Sequence, residues 1–163
     1  MKKPHNQLHW SHGNVKLPTR IIHLSLPSGH SCPSALKCLS KADQDSGKIT
    51  DGTETDYRCY AATMEARHPA IRKQRWQNFL KLKRKSQKDM FKLLLSSLKR
   101  HRDNYIKNHN QHPIIRAHIG GDFFNKSYFL SWMELAKAYA PTWFYAYTKR
   151  LDLWTDNMDI IPP

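Results

Sequence analysis

Three cysteines stand within the first 59 residues: Cys32 and Cys38 have five residues between them, and Cys59 follows after twenty more. An odd number of thiols in so short a stretch is poor arithmetic for a disulfide framework and better suits reduced cysteines or a soft metal. Three thiolates admit two kinds of centre. One is a tetrahedral zinc, for which His30 is the nearest fourth ligand in sequence. The other is a cuboidal iron–sulfur cluster held by three cysteines with one iron left open. The spacing alone does not choose between them, and three ordinary buried thiols are the plain alternative.

A second constellation is His118-Ile-Gly-Gly-Asp122, where two glycines let the backbone approach a ligand closely. Arg116, His118 and Asp122 share one parity along an extended chain and can point together toward a polar interior. A tight turn beside a satisfied core histidine accounts for the same residues. A third is a basic, aromatic-interleaved stretch in which Arg72, Lys73, Arg75, Lys83, Arg84 and Lys85 surround Trp76 and Phe79. Such a field attracts nucleic acid or another polyanion, and a solvated helix face explains it equally well. A fourth, Tyr145-Ala-Tyr-Thr-Lys149, offers phenols, a hydroxyl and an amine. No Ser-His-Asp spacing, HExxH or GxxxxGK phosphate loop is present, so common hydrolase and nucleotidase chemistries have no starting point.

These residues must be positioned by a small set of elements. Residues 20–26 are short, rich in branched apolar side chains and closed by Pro27-Ser-Gly29, which predicts a strand running into a loop. Residues 29–57 lack a sustained period and form a long loop carrying two of the cysteines, for which a bound ion is one fastening. Apolar residues from Ile71 to Ile106 recur at threes and fours, so the spacing predicts helix over 70–108, with Pro69 fitting its start. Residues 113–119 then predict a strand, 127–140 an amphipathic helix capped by Asn125 or Ser127 and ended by Pro141, and 142–148 another strand. Strand, helix and strand at this spacing form a βαβ unit, whose crossover requires parallel pairing.

The whole chain has 163 residues, 27 Lys and Arg against 13 Asp and Glu, and a formal charge of +14. The segment from Arg67 to Lys107 holds 14 Lys or Arg and two Asp, so it alone supplies +12 of that charge. Length suits one domain, read as 19–163 behind a loose lead-in over 1–18, with a C-terminus close enough to the last strand to suggest an incomplete chain. A complete eight-stranded barrel needs roughly 250 residues, so a barrel here is partial. A mean hydropathy of -0.73 with no uninterrupted apolar span argues against a membrane segment or export signal, and the location expected is the cytoplasm.

In order, Leu26-Pro-Ser-Gly-His-Ser-Cys-Pro-Ser-Ala-Leu-Lys-Cys-Leu-Ser-Lys41, Thr50-Asp-Gly52, Arg58-Cys-Tyr-Ala61, Glu65-Ala-Arg67, His118-Ile-Gly-Gly-Asp-Phe-Phe124 and Phe144-Tyr-Ala-Tyr-Thr-Lys149 resemble the phage gene product 88 family over about residues 17–154. That family implies no established activity, and a phage origin places the protein in the host cytoplasm. More remotely, the layout resembles radical S-adenosylmethionine enzymes. This resemblance implies an α/β fold with a partial, parallel barrel-like sheet of βα units, a long cysteine-bearing loop and a basic helical segment. It implies a [4Fe-4S] cluster on Cys32, Cys38 and Cys59, with S-adenosylmethionine held by Gly120, Gly121 and Asp122 beside His118. The expectation is a phage metalloprotein with an iron–sulfur cluster and radical chemistry, its enzymatic status open. Set against it are a non-enzymatic nucleic-acid-binding protein with zinc or free thiols, and a structural or host-interaction protein.

Overall fold

The computed structural model describes residues 7–162; residues 1–6 of the expected lead-in and Pro163 lie outside the described residues. In chain order the elements are β1 (Ser11–Asn14), β2 (Leu17–His23), β3 (Lys41–Ala42), β4 (Ile49–Thr50), α1 (Tyr60–Arg67), α2 (Pro69–Leu82), α3 (Gln87–His109), β5 (Ile114–Arg116), α4 (Lys126–Ala138), β6 (Trp143–Tyr145) and α5 (Leu151–Thr155). Short 3-10 turns occupy Leu36–Cys38 and Met158–Ile160.

The expected barrel-like sheet is not what forms. Four strands make an open mixed sheet in the order β1-β2-β5-β6, and β3 pairs with β4 in a separate two-stranded ribbon. β2 pairs in parallel with β5, and β5 in parallel with β6, whereas β1 folds back antiparallel on β2. That hairpin ends the parallel progression at one edge, because a chain of βα units continues only through further parallel crossovers. β6 ends it at the other, with Trp143 73% exposed on the outermost strand. Within this sheet the unit β5-α4-β6 is parallel, as its spacing requires.

Local chemistry sets the helix ends. Pro69 opens α2, where its missing N–H costs no hydrogen bond. Ser86 caps α3 by accepting from the Asp89 N–H at 3.2 Å, and Asn110 closes it in the left-handed region at φ 49°. Asn125 caps α4 by accepting from the Tyr128 N–H at 2.8 Å. Met90, Leu94 and Leu98 of α3 meet Tyr128, Phe129 and Trp132 of α4 over Ile22 and Ile115 of the sheet, all within one buried cluster that also takes in Leu8 and Trp10.

The long loop is fastened by arginines of α2. Arg72 donates from Nε to the Gln44 carbonyl at 3.0 Å, from Nη2 to that of Asp45 at 2.9 Å, and from Nη1 to that of Glu65 at 2.7 Å. Arg75 pairs with the fully buried Glu65 at 2.6 Å, and the same carboxylate oxygen accepts from the N–H and the hydroxyl of Ser28 at 2.9 Å each. The fastening that the sequence leaves to an ion is thus performed by two guanidinium groups.

Candidate functional site

Because β2, β5 and β6 run parallel, the segments that follow them leave the sheet on one side, the edge where open α/β sheets receive ligands. There a cleft of about 430 Å³ opens between the turn after β5, the residues after β6 and the cysteine-bearing loop. Cys32, Cys38, Cys59, His118, Gly120, Gly121 and Asp122 all line it, so residues far apart in sequence do converge.

Convergence does not make a metal centre. Among the described residues no group of three or more Cys, His, Asp or Glu side chains is arranged to hold a metal ion, which overturns the expected [4Fe-4S] cluster and its zinc alternative. The side chains of Cys38 and His30 are otherwise engaged. The Lys149 amine donates to Cys38 Sγ. Burial pushes the Cys32 thiol up to about 12, so it is a neutral thiol at physiological pH. His30, the nearest candidate fourth ligand, sets Nε2 3.1 Å from the Ala42 carbonyl and its ring 4.7 Å from that of Trp76. All three cysteines are free of disulfides.

The expected S-adenosylmethionine turn is likewise corrected, because packing within the protein already accounts for its glycines. A Cβ on Gly120 would fall 2.5 Å from Arg75 Nη1. Gly121 has φ +85°, and a Cβ there would lie 2.6 Å from both Leu26 Cβ and Ser31 Oγ. Asp122 is a clamp between the β5 and β6 turns. Its Oδ1 accepts from the Phe123 N–H at 2.7 Å and the Thr148 hydroxyl at 2.5 Å, and its Oδ2 from the Lys149 N–H at 2.9 Å. With the cluster and the cofactor gone, nothing of the radical chemistry retains support, and the iron–sulfur and metal-binding description falls with it.

His118 is 2% exposed, with Nε2 3.2 Å from the Tyr128 hydroxyl and Nδ1 without a hydrogen-bond partner among the described residues. Burial, helped by the Arg116 charge, drives its pKa down to about 3, so the imidazole is neutral. Tyr128 is shifted upward by the same burial and keeps its proton.

The six cations singled out for polyanion contact divide. Arg72 and Arg75 are 6% and 7% exposed and turned inward onto carbonyls and Glu65. Lys73, Lys83 and Arg84 are exposed and Lys85 half-buried. On α3, Lys88, Lys92, Lys99, Arg100 and Lys107 are exposed and, at 100° per residue, fall within roughly a third of the helix circumference. Lys99 pairs with Asp103; among the described residues the other four have no ion-pair partner.

Arg116, which the sequence groups with His118 and Asp122 by parity, does line the cleft with them, and two further site features escaped the sequence. Arg116 donates from Nε to the His118 carbonyl at 2.7 Å and rests against the Tyr147 ring at 5.0 Å. Tyr57 and Tyr60 stand exposed at the cleft, Tyr60 donating to the Ile119 carbonyl at 2.7 Å. Glu65, fully buried, had no local signal, since its partners Ser28 and Arg75 lie far along the chain; an acid ahead of the arginines of α2 was the nearest clue.

A model of the family described as Gene product 88 matches residues 2–163. No curated protein and no solved structure matches the chain. No helix of the described residues is long and apolar enough to cross a membrane.

Proposed function

This chain belongs to the phage gene product 88 family, and we propose that it binds nucleic acid through a basic ridge formed by the α2–α3 corner and the outer face of α3. The observation that carries this reading is the one-sided array of Lys88, Lys92, Arg100 and Lys107, exposed without ion-pair partners along a helix of 23 residues, about 34 Å long. Lys83 and Arg84 extend it at the corner between the helices. A stripe of one sign repels itself, and a phosphate backbone relieves that repulsion while releasing its condensed counterions. The contacts are with phosphates, so they give affinity without sequence choice. Such a partner goes with work in the cytoplasm of the host.

The test is fluorescence anisotropy with labelled single- and double-stranded DNA and RNA of about 20 nucleotides, across a salt series. Replacing Lys83, Arg84, Lys88, Lys92 and Arg100 together by Glu is expected to weaken binding by at least about a hundredfold and to flatten the slope of log affinity against log salt. The same affinity in the reversed variant, or none in the native chain at low salt, would sink the reading.

A further inference from the structure

We propose that the cleft at the C-terminal strand edge is a second, separate site, for a free nucleoside phosphate: Arg116 and Lys149 hold the phosphate and the exposed ring of Tyr147 receives the base. No ridge residue lines this cleft, so the two sites stand or fall independently.

Charge comes first. Among the described residues the only acid lining the cleft is Asp122, and its carboxylate already accepts three hydrogen bonds from the protein. Arg58 also lines it but is neutralised by Asp51 at 2.5 Å. Arg116 and Lys149 have no carboxylate partner among the described residues. The amine of Lys149 meets a thiol and the Tyr57 hydroxyl, neither of which carries a compensating carboxylate charge. Two cations set against the single carboxylate of Asp122 leave this concave site with an excess of positive charge, which favours an anionic ligand.

Orientation comes second. Arg116 uses its Nε on the His118 carbonyl, and its guanidinium lies 5.0 Å from the Tyr147 ring centre and 5.8 Å from that of Tyr145. The fork is therefore held in a fixed direction with its two terminal nitrogens left over, the arrangement that meets two oxygens of one phosphate.

The rings give the rest of the ligand. Tyr57, Tyr60 and Tyr147 are 56%, 62% and 71% exposed, a concentration of bare aromatic surface at one mouth. A flat heterocycle stacks on such faces without needing a particular hydrogen-bond pattern. The volume of about 430 Å³ lies in the range of small-molecule sites. In the wall, His118 offers a buried neutral imidazole whose Nδ1 has no hydrogen-bond partner among the described residues.

Isothermal titration of the full chain with the four nucleoside 5′-monophosphates, adenosine and inorganic phosphate tests this. At least one monophosphate is expected to bind more tightly than about 0.1 mM, with adenosine and inorganic phosphate each weaker by at least about tenfold. Tyr147→Ala and Lys149→Gln, both at exposed side chains, are each expected to weaken it about tenfold while melting as the native chain does. Arg116→Lys, which keeps the charge and loses the fork, is expected to weaken it as well. The ridge reversal is expected to leave it unchanged. No monophosphate binding tighter than about 1 mM, adenosine binding as tightly as its phosphate, or affinity that survives all three cleft replacements would overturn the proposal.

Discussion

A carboxylate buried as completely as that of Glu65 is tolerable only because one of its oxygens collects the Arg75 guanidinium, the Ser28 N–H and the Ser28 hydroxyl together. Removing the cation alone leaves that carboxylate buried and uncompensated. Arg75→Ala is therefore expected to lower unfolding stability by about 3–5 kcal/mol in urea melts, more than Arg75→Ala adds in a Glu65→Gln background; equal costs in the two backgrounds would show that the charge pairing is not what matters. His118 acts through its solvation. Its pKa is about 3 in the folded chain against an ordinary 6.5, so below 6.5 the unfolded chain binds the extra proton. The stability it contributes is thus present above 6.5 and is lost as pH falls from there toward 3, at up to about 1.4 kcal/mol per pH unit. Urea melts between pH 7 and pH 4 should show a shallower loss for His118→Phe than for the native chain, His23 supplying part of the slope that persists because burial lowers its pKa too. Parallel loss in both proteins would exclude His118 as a source.

At the level of elements, the legible parts were those whose signal is local. The βαβ unit declared itself through apolar runs of the right lengths with Asn125 and Pro141 between them, and α2 and α3 through apolar spacing of threes and fours. β1 was hidden because Ser-His-Gly-Asn has no apolar alternation and only Gly13 is buried, and without it the antiparallel edge that ends the parallel sheet was invisible. The inward turn of Arg72 and Arg75 is not legible because a guanidinium on a helix looks the same in sequence whether it faces water or a loop 27 residues upstream. That loop gives the test of their role. Arg72→Ala removes three charge-assisted hydrogen bonds to the carbonyls of Gln44, Asp45 and Glu65. With such bonds worth about 1.5–3 kcal/mol, amide exchange at Asp43 and Gly47 is expected to accelerate about 10–100-fold, while Leu94 and Leu98 in α3 keep their protection. Uniform acceleration across the chain would mean global destabilisation instead of a released loop.

On the scale of the whole molecule, charge and fold pull against each other. Of the +14 carried by the chain, +12 lies between Arg67 and Lys107, and of those cations only Arg75, Lys99 and Arg102 find carboxylates among the described residues. The rest repel one another most strongly where α3 lines them up, so the free protein carries a self-repulsion that salt screens, with a Debye length of about 8–10 Å at 0.1–0.15 M. Salt therefore has opposite effects on the two properties: it weakens attraction for a polyanion and strengthens the fold. Raising sodium chloride from about 0.02 to 0.3 M is expected to raise the thermal midpoint by about 2–4 °C, the shift produced by about 1 kcal/mol in a chain of this size. The variant with Lys83, Arg84, Lys88, Lys92 and Arg100 replaced by Glu should melt higher than the native chain at low salt and respond less to added salt, since its ridge no longer carries one sign. If native and reversed chains instead rise together by the same amount, screening elsewhere governs the melt and the ridge is too dispersed to concentrate a polyanion.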